Sequence, residues 1–319
     1  MAPTDAKSGA HSSSVSIGLP VYNGEAYLEE ALGSIAAQTF TDYEVIISDN
    51  ASTDGTQDIC RSHAAKDRRI RYYRNPTNIG GDRNYYRCFE LSSGDYFLGM
   101  AHDDRLHPDY LRKVLEVLDA DPSVVFCHSR AYQMDGTGAV VGAYDARPFS
   151  ESPRPHERFR DAIGLRPVIA CLGVIRPSVL RQMPPLLAYP GSDAYWQAEF
   201  ALRGKLVEVP EVLFYRMVYP GSGGRIPLHQ RIRWSDPAKA GTVIFPSWRR
   251  PAEYGRSVLR SPLTLSERLL CFREIARYVR RRGGRRPLLR DIKAAAKTLL
   301  SRSRPGFWLL ASWSRVRKH

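Results

Sequence analysis

Sulfur is scarce in this chain. Its five cysteines, Cys60, Cys88, Cys127, Cys171 and Cys271, are scattered, odd in number and mostly set inside apolar runs. No Cys-x-x-Cys pair and no Cys/His cluster occurs, which argues against a disulfide framework or a zinc site. Buried, reduced thiols point to the cytoplasm. Long apolar runs are missing too, and none approaches the ~20 residues of a membrane span. The opening MAPTDAKSGAHSSS has no apolar core, so residues 1–14 are expected to form a disordered leader rather than a signal peptide. Acidic residues are the third shortage, with 33 Asp and Glu against 47 Lys and Arg. The imbalance is local. Arg273–His319 holds 15 basic and 2 acidic residues, which leaves 32 against 31 in the rest of the chain. A near-neutral body with a basic tail offers no general nucleic-acid surface, so no nucleic-acid partner is expected.

Alternation of strand and helix is what the chain has in plenty. Val15–Val21 is a short apolar run containing Pro20, and Glu25–Gln38 sets Leu28, Leu32 and Ile35 at helical spacing, with Asn23 as a cap. Strands are predicted at Tyr43–Ser48, Ile70–Arg74, Tyr96–Ala101 and Ser123–His128. Helices are predicted at Thr53–Asp67, at Gly81–Leu91 and from Pro108 to Leu118. This order is that of a doubly wound α/β fold with a parallel sheet and right-handed crossovers.

Ligands of such sheets collect beyond the carboxyl ends of the strands. Four loops meet there: Pro20-Val21-Tyr22-Asn23, Asp49-Asn50, Asn75 to Gly80 with Asn78 and then Arg83-Asn84, and His102-Asp103-Asp104. Each has a plain structural explanation, such as a cap for Asn23 or a helix entry for Gly80. Their coincidence on one edge points to a ligand. Neither a Gly-x-Gly-x-x-Gly loop nor a P-loop lysine motif is present to cradle phosphates. The apolar run Tyr96–Ala101 instead leads into two adjacent carboxylates. Asp103 and Asp104 repel each other and lose hydration unless a cation sits among them. A divalent ion that keeps several waters and bridges to phosphates answers this. The plainer alternative is a pair of solvated loop carboxylates offset by His102 and Arg105. Tyr22 can stack on a base, and Asp49 can accept a hydrogen bond from a ring N–H or a ribose hydroxyl. The edge composes a metal-dependent nucleoside-diphosphate site.

Pro20-Val21-Tyr22-Asn23, the run Asp49-Asn50-Ala51-Ser52-Thr53-Asp54-Gly55-Thr56, Asn78-x-Gly80-x-x-Arg83-Asn84 and the Asp-Asp before Pro108 resemble family 2 glycosyltransferases with the GT-A fold. The resemblance covers about two thirds of the chain, from Val15 to Ser222. It implies inverting transfer of a sugar from a UDP- or dTDP-linked donor, with Tyr22 and Asp49 on the nucleoside and Asp103 on Mg or Mn. Two departures stand out. The first acid of the family's Asp-x-Asp falls at Ala101, so its ribose or metal contact is either lost or taken over by His102 or Asp104. The family's Arg-x-x-His reads Arg216-Met217-Val218-Tyr219, so Arg216 and Tyr219 share the diphosphate contact.

Beyond His128 the alternation weakens. Arg130–Tyr144 reads as a hairpin, Ser150–Pro155 as a mobile loop beside the site, and Val168–Ile175 as a strand. Gly191-Ser192-Asp193 leads into a helix over Ala194–Arg203, and Leu206–Val209 and Val212–Arg216 are short strands. By resemblance Asp193 is the catalytic base. Its plain reading is a helix cap, and Glu199 is the alternative base. Ser222–Pro251, rich in Gly, Pro and aromatics, is expected to be an acceptor-side lid or an irregular packing segment. Helices follow at Leu265–Arg282 and Leu288–Leu300. Phe307–Leu310 and Trp313, framed by Arg302, Arg304, Arg315, Arg317 and Lys318, suit an anionic membrane surface or a basic helix packed on the body. The expected organisation is a leader at 1–14, a GT-A domain at 15–220 and a lid with a basic helical extension at 221–319. The expected partners are a nucleotide-sugar donor, a glycan, lipid-linked or small-molecule acceptor, and the inner membrane face. A nucleotidyltransferase would need a basic, glycine-rich loop that Pro20–Gly24 is not. An inactive membrane-bound scaffold is the other alternative, suggested by Ala101.

Overall fold

The computed structural model describes residues 14–144, 150–164, 172–185, 191–219, 228–239, 242, 245–281 and the helical positions 287, 289, 291–293, 295 and 296. The expected leader, most of the predicted helix at 288–300 and the aromatic, basic segment from 302 onwards lie outside the described residues.

A strand covered on both faces needs apolar residues at consecutive positions. β1 (Val15–Val21) and β2 (Tyr43–Asp49) have them, and every residue of β2 is buried. The helices α1 (Leu28–Ala36), α2 (Thr56–Lys66) and α3 (Gly81–Glu90) are crossovers. They bring β3 (Ile70–Arg74) beside β2, and β4 (Tyr96–Gly99) beside β1, all in parallel. Gly18 lets α3 press on β1, since a Cβ there would lie 2.7 Å from that of Cys88.

Beyond β4 come β5 (Arg105–Leu106), α4 (Tyr110–Ala120), β6 (Val124–Met134), β7 (Val140–Tyr144) and α5 (Pro155–Gly164). They are followed by β8 (Gly173–Ile175), α6 (Pro177–Leu180), α7 (Asp193–Arg203) and β9 (Lys205–Met217). The sheet runs β3-β2-β1-β4-β8-β6-β9-β5, with β7 paired to β6. It is mixed rather than wholly parallel. β6 keeps the direction of β4, but the three-residue β8 is inserted antiparallel between them. The two strands expected near Leu206 and Val212 are one. Pro210 and Glu211 bulge out of register opposite Ser129–Arg130, where a proline is tolerated. Ser150, expected in a mobile loop beside the site, is held in a backbone pair with Leu206. Leu206 pairs with Phe126, near the amino end of β4, so Ser150 sits at the opposite edge of the sheet.

Among its described residues, the segment 222–251 is largely helical. It contains α8 (Leu228–Ser235), a 3-10 turn at Pro237–Lys239 and the start of α9 (Pro246–Arg260), and α10 (Leu265–Arg281) follows. A second apolar core forms where Phe159 of α5, Leu202 of α7, Tyr254 of α9 and Tyr278 of α10 meet. The helix α7 belongs to both cores: Trp196 and Phe200 face the sheet, while Ala198 and Leu202 face the helices. Asp291 docks the last described helical turn on α9, accepting from the backbone N–H of Ser247 at 2.6 Å. No described helix is long and apolar enough to cross a membrane. The four described cysteines are buried and unpaired, as expected.

His128 of β6 is 1% exposed. Its Nδ1 lies 2.9 Å from the Ser129 carbonyl, and its Nε2 is buried without a partner among the described residues. Burial drags the imidazole down to about 4. The unfolded chain, with an ordinary value of about 6.5, therefore binds this proton first as pH falls. The stability that comes from keeping His128 neutral is complete above about pH 6.5 and is lost on the way down to pH 4, a span of about 3 kcal/mol. Denaturant titrations at pH 7 and pH 4 should show that His128→Leu flattens this dependence. An equal slope in wild type and variant would assign the acid sensitivity to other groups.

Candidate active site

The exits of β1 and β2 are braced against each other. Asn23 does not cap α1, which begins at Leu28 behind Tyr27. It sits instead at φ 50°, where its Oδ1 accepts from the Thr53 N–H at 2.8 Å and its own N–H donates to Ser52 Oγ at 3.0 Å. The Gly24 N–H donates to Thr56 Oγ1 at 2.8 Å. This brace holds the turn after Pro20 and leaves Tyr22 43% exposed.

Asp49 ends β2 with no exposed surface. Its Oδ1 accepts from the Ser52 N–H at 2.8 Å, and its Oδ2 accepts from Tyr72 at 2.7 Å and from Arg74. Burial pushes this carboxyl up, but the bonds from Ser52, Tyr72 and Arg74 outweigh it and hold it below the usual carboxylate range. Tyr72 is pushed up to about 12 by burial and by Asp49. Sequence reasoning missed Tyr72 and Arg74. The signal was there, because they are i and i+2 on a strand and share one face.

The neighbouring amides form a network. Asn50 Oδ1 accepts from the Ile79 N–H at 2.8 Å, and its Nδ2 donates to Asn78 Oδ1 at 2.9 Å. Asn75 links Asn50 to Asn84, which donates to the Ser48 carbonyl at 2.7 Å. Asn78 thus shapes the loop that enters α3. Arg83, whose side chain is 58% exposed, points elsewhere, to Asp236 Oδ2 at 3.4 Å. The end of α8 presses on the start of α3. A Cβ at Gly81 would lie 2.5 Å from the Trp234 ring, and one at Gly80 would strike the Ser235 carbonyl. Residues 234–236 belong to this edge and were not found in the sequence, because no local pattern ties them to Gly80.

The two adjacent aspartates differ. Asp104 is 5% exposed and its Oδ1 accepts from the Met217 N–H at 2.9 Å, pinning β9. Burial and then the charge of Asp103 push Asp104 well up, against the opposing pull of Met217 and Arg216. Asp103 is only half-buried. Tyr219 donates to it, and burial followed by the Asp103 charge pushes that phenol up. His102 rests on Gly24, where a Cβ would lie 2.6 Å from the imidazole Cδ2. The Arg216 guanidinium stands 4.9 Å over the Tyr144 ring. Among the described residues, no group of three or more His, Cys, Asp or Glu could by itself hold a metal.

Asp193 opens α7. Its Oδ1 accepts from the Ala194 N–H at 2.9 Å, and Ser192 makes no side-chain cap. Ser192 Oγ instead donates to Asp82 Oδ2 of α3 at 3.2 Å. Tyr85 of α3 packs over Gly99 at the end of β4 and meets the Trp196 ring edge-on at 5.7 Å. These contacts link the first turn of α7 to the exit of β4 through Tyr85. Glu199 is 0% exposed and lies between Arg203 and Arg260, the latter at 3.3 Å.

Residues 16–183, just over half of the chain, match the glycosyl transferase family 2 profile. The abequosyltransferase RfbV of Salmonella typhimurium is 40% identical over 118 residues, 35% of each chain. TuaG of Bacillus subtilis, named for teichuronic acid biosynthesis, is 30% identical over 163 residues, 50% of this chain and 61% of its own. The chain spans about a third to a half of the length of the first curated relatives it matches. Among solved structures, S. aureus TarS 1–349 superposes with a TM-score of 0.61 at 15% identity, over 90% of this chain and 80% of that one. The mannosyltransferase PcManGT of Pyrobaculum calidifontis, solved with GDP-Man and Mn2+, gives 0.53 at 16% identity, over 100% and 84%. The likenesses carry the expected GT-A architecture, and the family match carries membership: this chain belongs to glycosyl transferase family 2.

Proposed function

We propose that this protein transfers a sugar from a UDP- or dTDP-linked donor to an acceptor hydroxyl, in one in-line displacement that inverts the anomeric carbon. The reading rests above all on the meeting of the β1, β2 and β4 exits with the first turn of α7. It is supported by TarS, which has been solved with UDP and with UDP-GlcNAc. Tyr22 offers an exposed ring for the base. Asp49 is the anchor of the nucleoside pocket, holding Arg74 and the Ser52 turn in place. Pro20, Asn23, Asn78, Arg83, His102, Asp104 and Arg216 frame or face the donor. The chemistry falls to residues 15–220, with 221–319 as the acceptor-side lid and extension.

A divalent ion fits this edge. Mg or Mn needs only one or two protein carboxylates when waters and a diphosphate complete its shell. Asp103 supplies one that is half-buried, and Asp104 beside it is pushed toward its neutral form, which lessens their repulsion. When bound, the ion would offset the charge of the departing diphosphate. Asp193 is the base that takes the acceptor proton. The helix N-terminus favours its anionic form. The acceptor we favour is a lipid-linked or other envelope glycan, with the segment from Arg302 to His319 resting on an anionic cytoplasmic membrane face. The relatives named for abequosyl transfer and for teichuronic acid biosynthesis support that choice.

In calorimetric titration, Asp103→Asn or excess chelator should weaken UDP or dTDP-sugar binding by about tenfold or more, and full affinity in chelator would sink the metal assignment. Asp193→Asn should bind donor normally while transfer falls by about 10²–10⁴-fold. Glu199→Gln should instead lower unfolding stability by about 3 kcal/mol, because it strands two arginines at a buried pair. If transfer survives in Asp193→Asn and collapses in folded Glu199→Gln, the base is misassigned. A product that retains the donor's anomeric configuration would overturn inversion. Deleting 302–319 should release the protein from anionic vesicles and leave donor hydrolysis intact, with each basic residue worth about 1 kcal/mol. Equal vesicle binding by the full and shortened chains would assign the tail to the protein body.

A further inference from the structure

The entry turn of α7 is moulded against a cation from another helix. Gly191 has φ 91°, which disfavours any side chain, and a Cβ there would lie only 2.7 Å from Arg250 Nη2. Arg250 is the fifth residue of α9. It is fixed from behind: its guanidinium donates to the Tyr278 hydroxyl of α10, and Tyr254 of α9 lies beside it. Tyr254 and Tyr278 meet edge-on at 5.6 Å, and Tyr254 packs on Phe159 of α5 at 5.9 Å. A guanidinium taken from water needs hydrogen bonds and a facing negative charge to persist. Burial acts to lower the Arg250 pKa, but Tyr254, Tyr278 and the Asp193 carboxylate together raise it.

From these contacts we infer that Arg250 is a positioning residue for the base: it seats the Gly191 turn two residues before Asp193 and attracts that carboxylate, so that α9 and α10 orient the head of α7. This rests on the reading of Asp193 as the base. The charge balance around the turn agrees. On the α3 side Ser192 bonds Asp82, and on the α9 side Arg250 attracts the Asp193 carboxylate. The second core is then part of the active-site scaffold. A misplacement of the α7 head costs rate before it costs donor affinity, because Tyr22, Asp49 and Asp103 stand on other elements.

The test is a double-mutant cycle on the full-length protein, with transfer kinetics, donor KM and melting temperature measured for each variant. Arg250→Met should lower kcat by about tenfold or more while donor KM stays within about twofold, since a 1 Å error in a reacting group can cost as much as 10²-fold. Arg250→Lys should recover most of that loss. In the Asp193→Asn background, Arg250→Met should cost nothing further, because two residues acting as a unit are not additive. If Arg250→Met does not fold, Tyr278→Phe keeps the bulk, frees the guanidinium and should lower kcat by about threefold at unchanged donor KM. Equal losses in both backgrounds, or a donor KM that rises as kcat falls, would overturn the positioning role. The reading of Asp193 stands or falls separately, on the single variant Asp193→Asn.

Discussion

A carboxylate sealed from water at the end of β2 organises the ligand edge of this protein. An unpaired anion with no exposed surface would cost several kcal/mol. Asp49 avoids that cost through hydrogen bonds from Ser52, Tyr72 and Arg74, each worth about 1.5–3 kcal/mol when one partner is charged. Those bonds fix three things at once: the turn after β2, the register of β3, and an arginine held at the mouth of the site. The turn after β2 in turn braces the turn after β1 through Asn23 and Thr56. The exposed Tyr22 ring therefore stands on a rigid base, although its own loop contains no regular structure.

The helix α7 plays the complementary part on the other side of that edge. Its length is buried between the sheet core and the helical core, with Trp196 and Phe200 on one face and Ala198 and Leu202 on the other. Neither core could be repacked without moving its first residue. The C-terminal helices are therefore not an appendage. They make up one wall of the groove that holds α7, and Glu199 with Arg203 and Arg260 ties the same helices together at the other end.

Much of this was legible in the sequence, and the parts that were not share a cause. Strands such as Val15–Val21 and Tyr43–Asp49 declare themselves through consecutive apolar residues, and the four loops could be assigned to one edge because parallel alternation fixes where strands exit. β8 was read as the end of a strand over Val168–Ile175, but its antiparallel insertion could not be, since its partners lie 45 to 78 positions away. The same holds for Trp234 and Arg250. Each acts across a tertiary contact that no local spacing encodes. Glu199 was weighed as a base because helical spacing put it near Asp193, but one and a half turns carry it away from the helix end and into an ion pair. Asn23 read as a cap because amides favour helix starts, yet the same short side chain tolerates the left-handed turn it occupies.

Asp103 and Asp104 illustrate how one dipeptide can serve structure and chemistry together. Successive residues at a strand exit point to different environments, so adjacent carboxylates need not share a fate. Asp104 turns inward, where the Met217 N–H satisfies it and burial disfavours its charge. By pinning the end of β9 it fixes the segment that carries Tyr219, and Tyr219 returns to hydrogen-bond Asp103. The loop is thus closed on itself: the inner aspartate positions the strand whose tyrosine orients the outer one. Asp104 is thereby committed to the fold, which leaves Asp103 as the half-buried carboxylate of the pair.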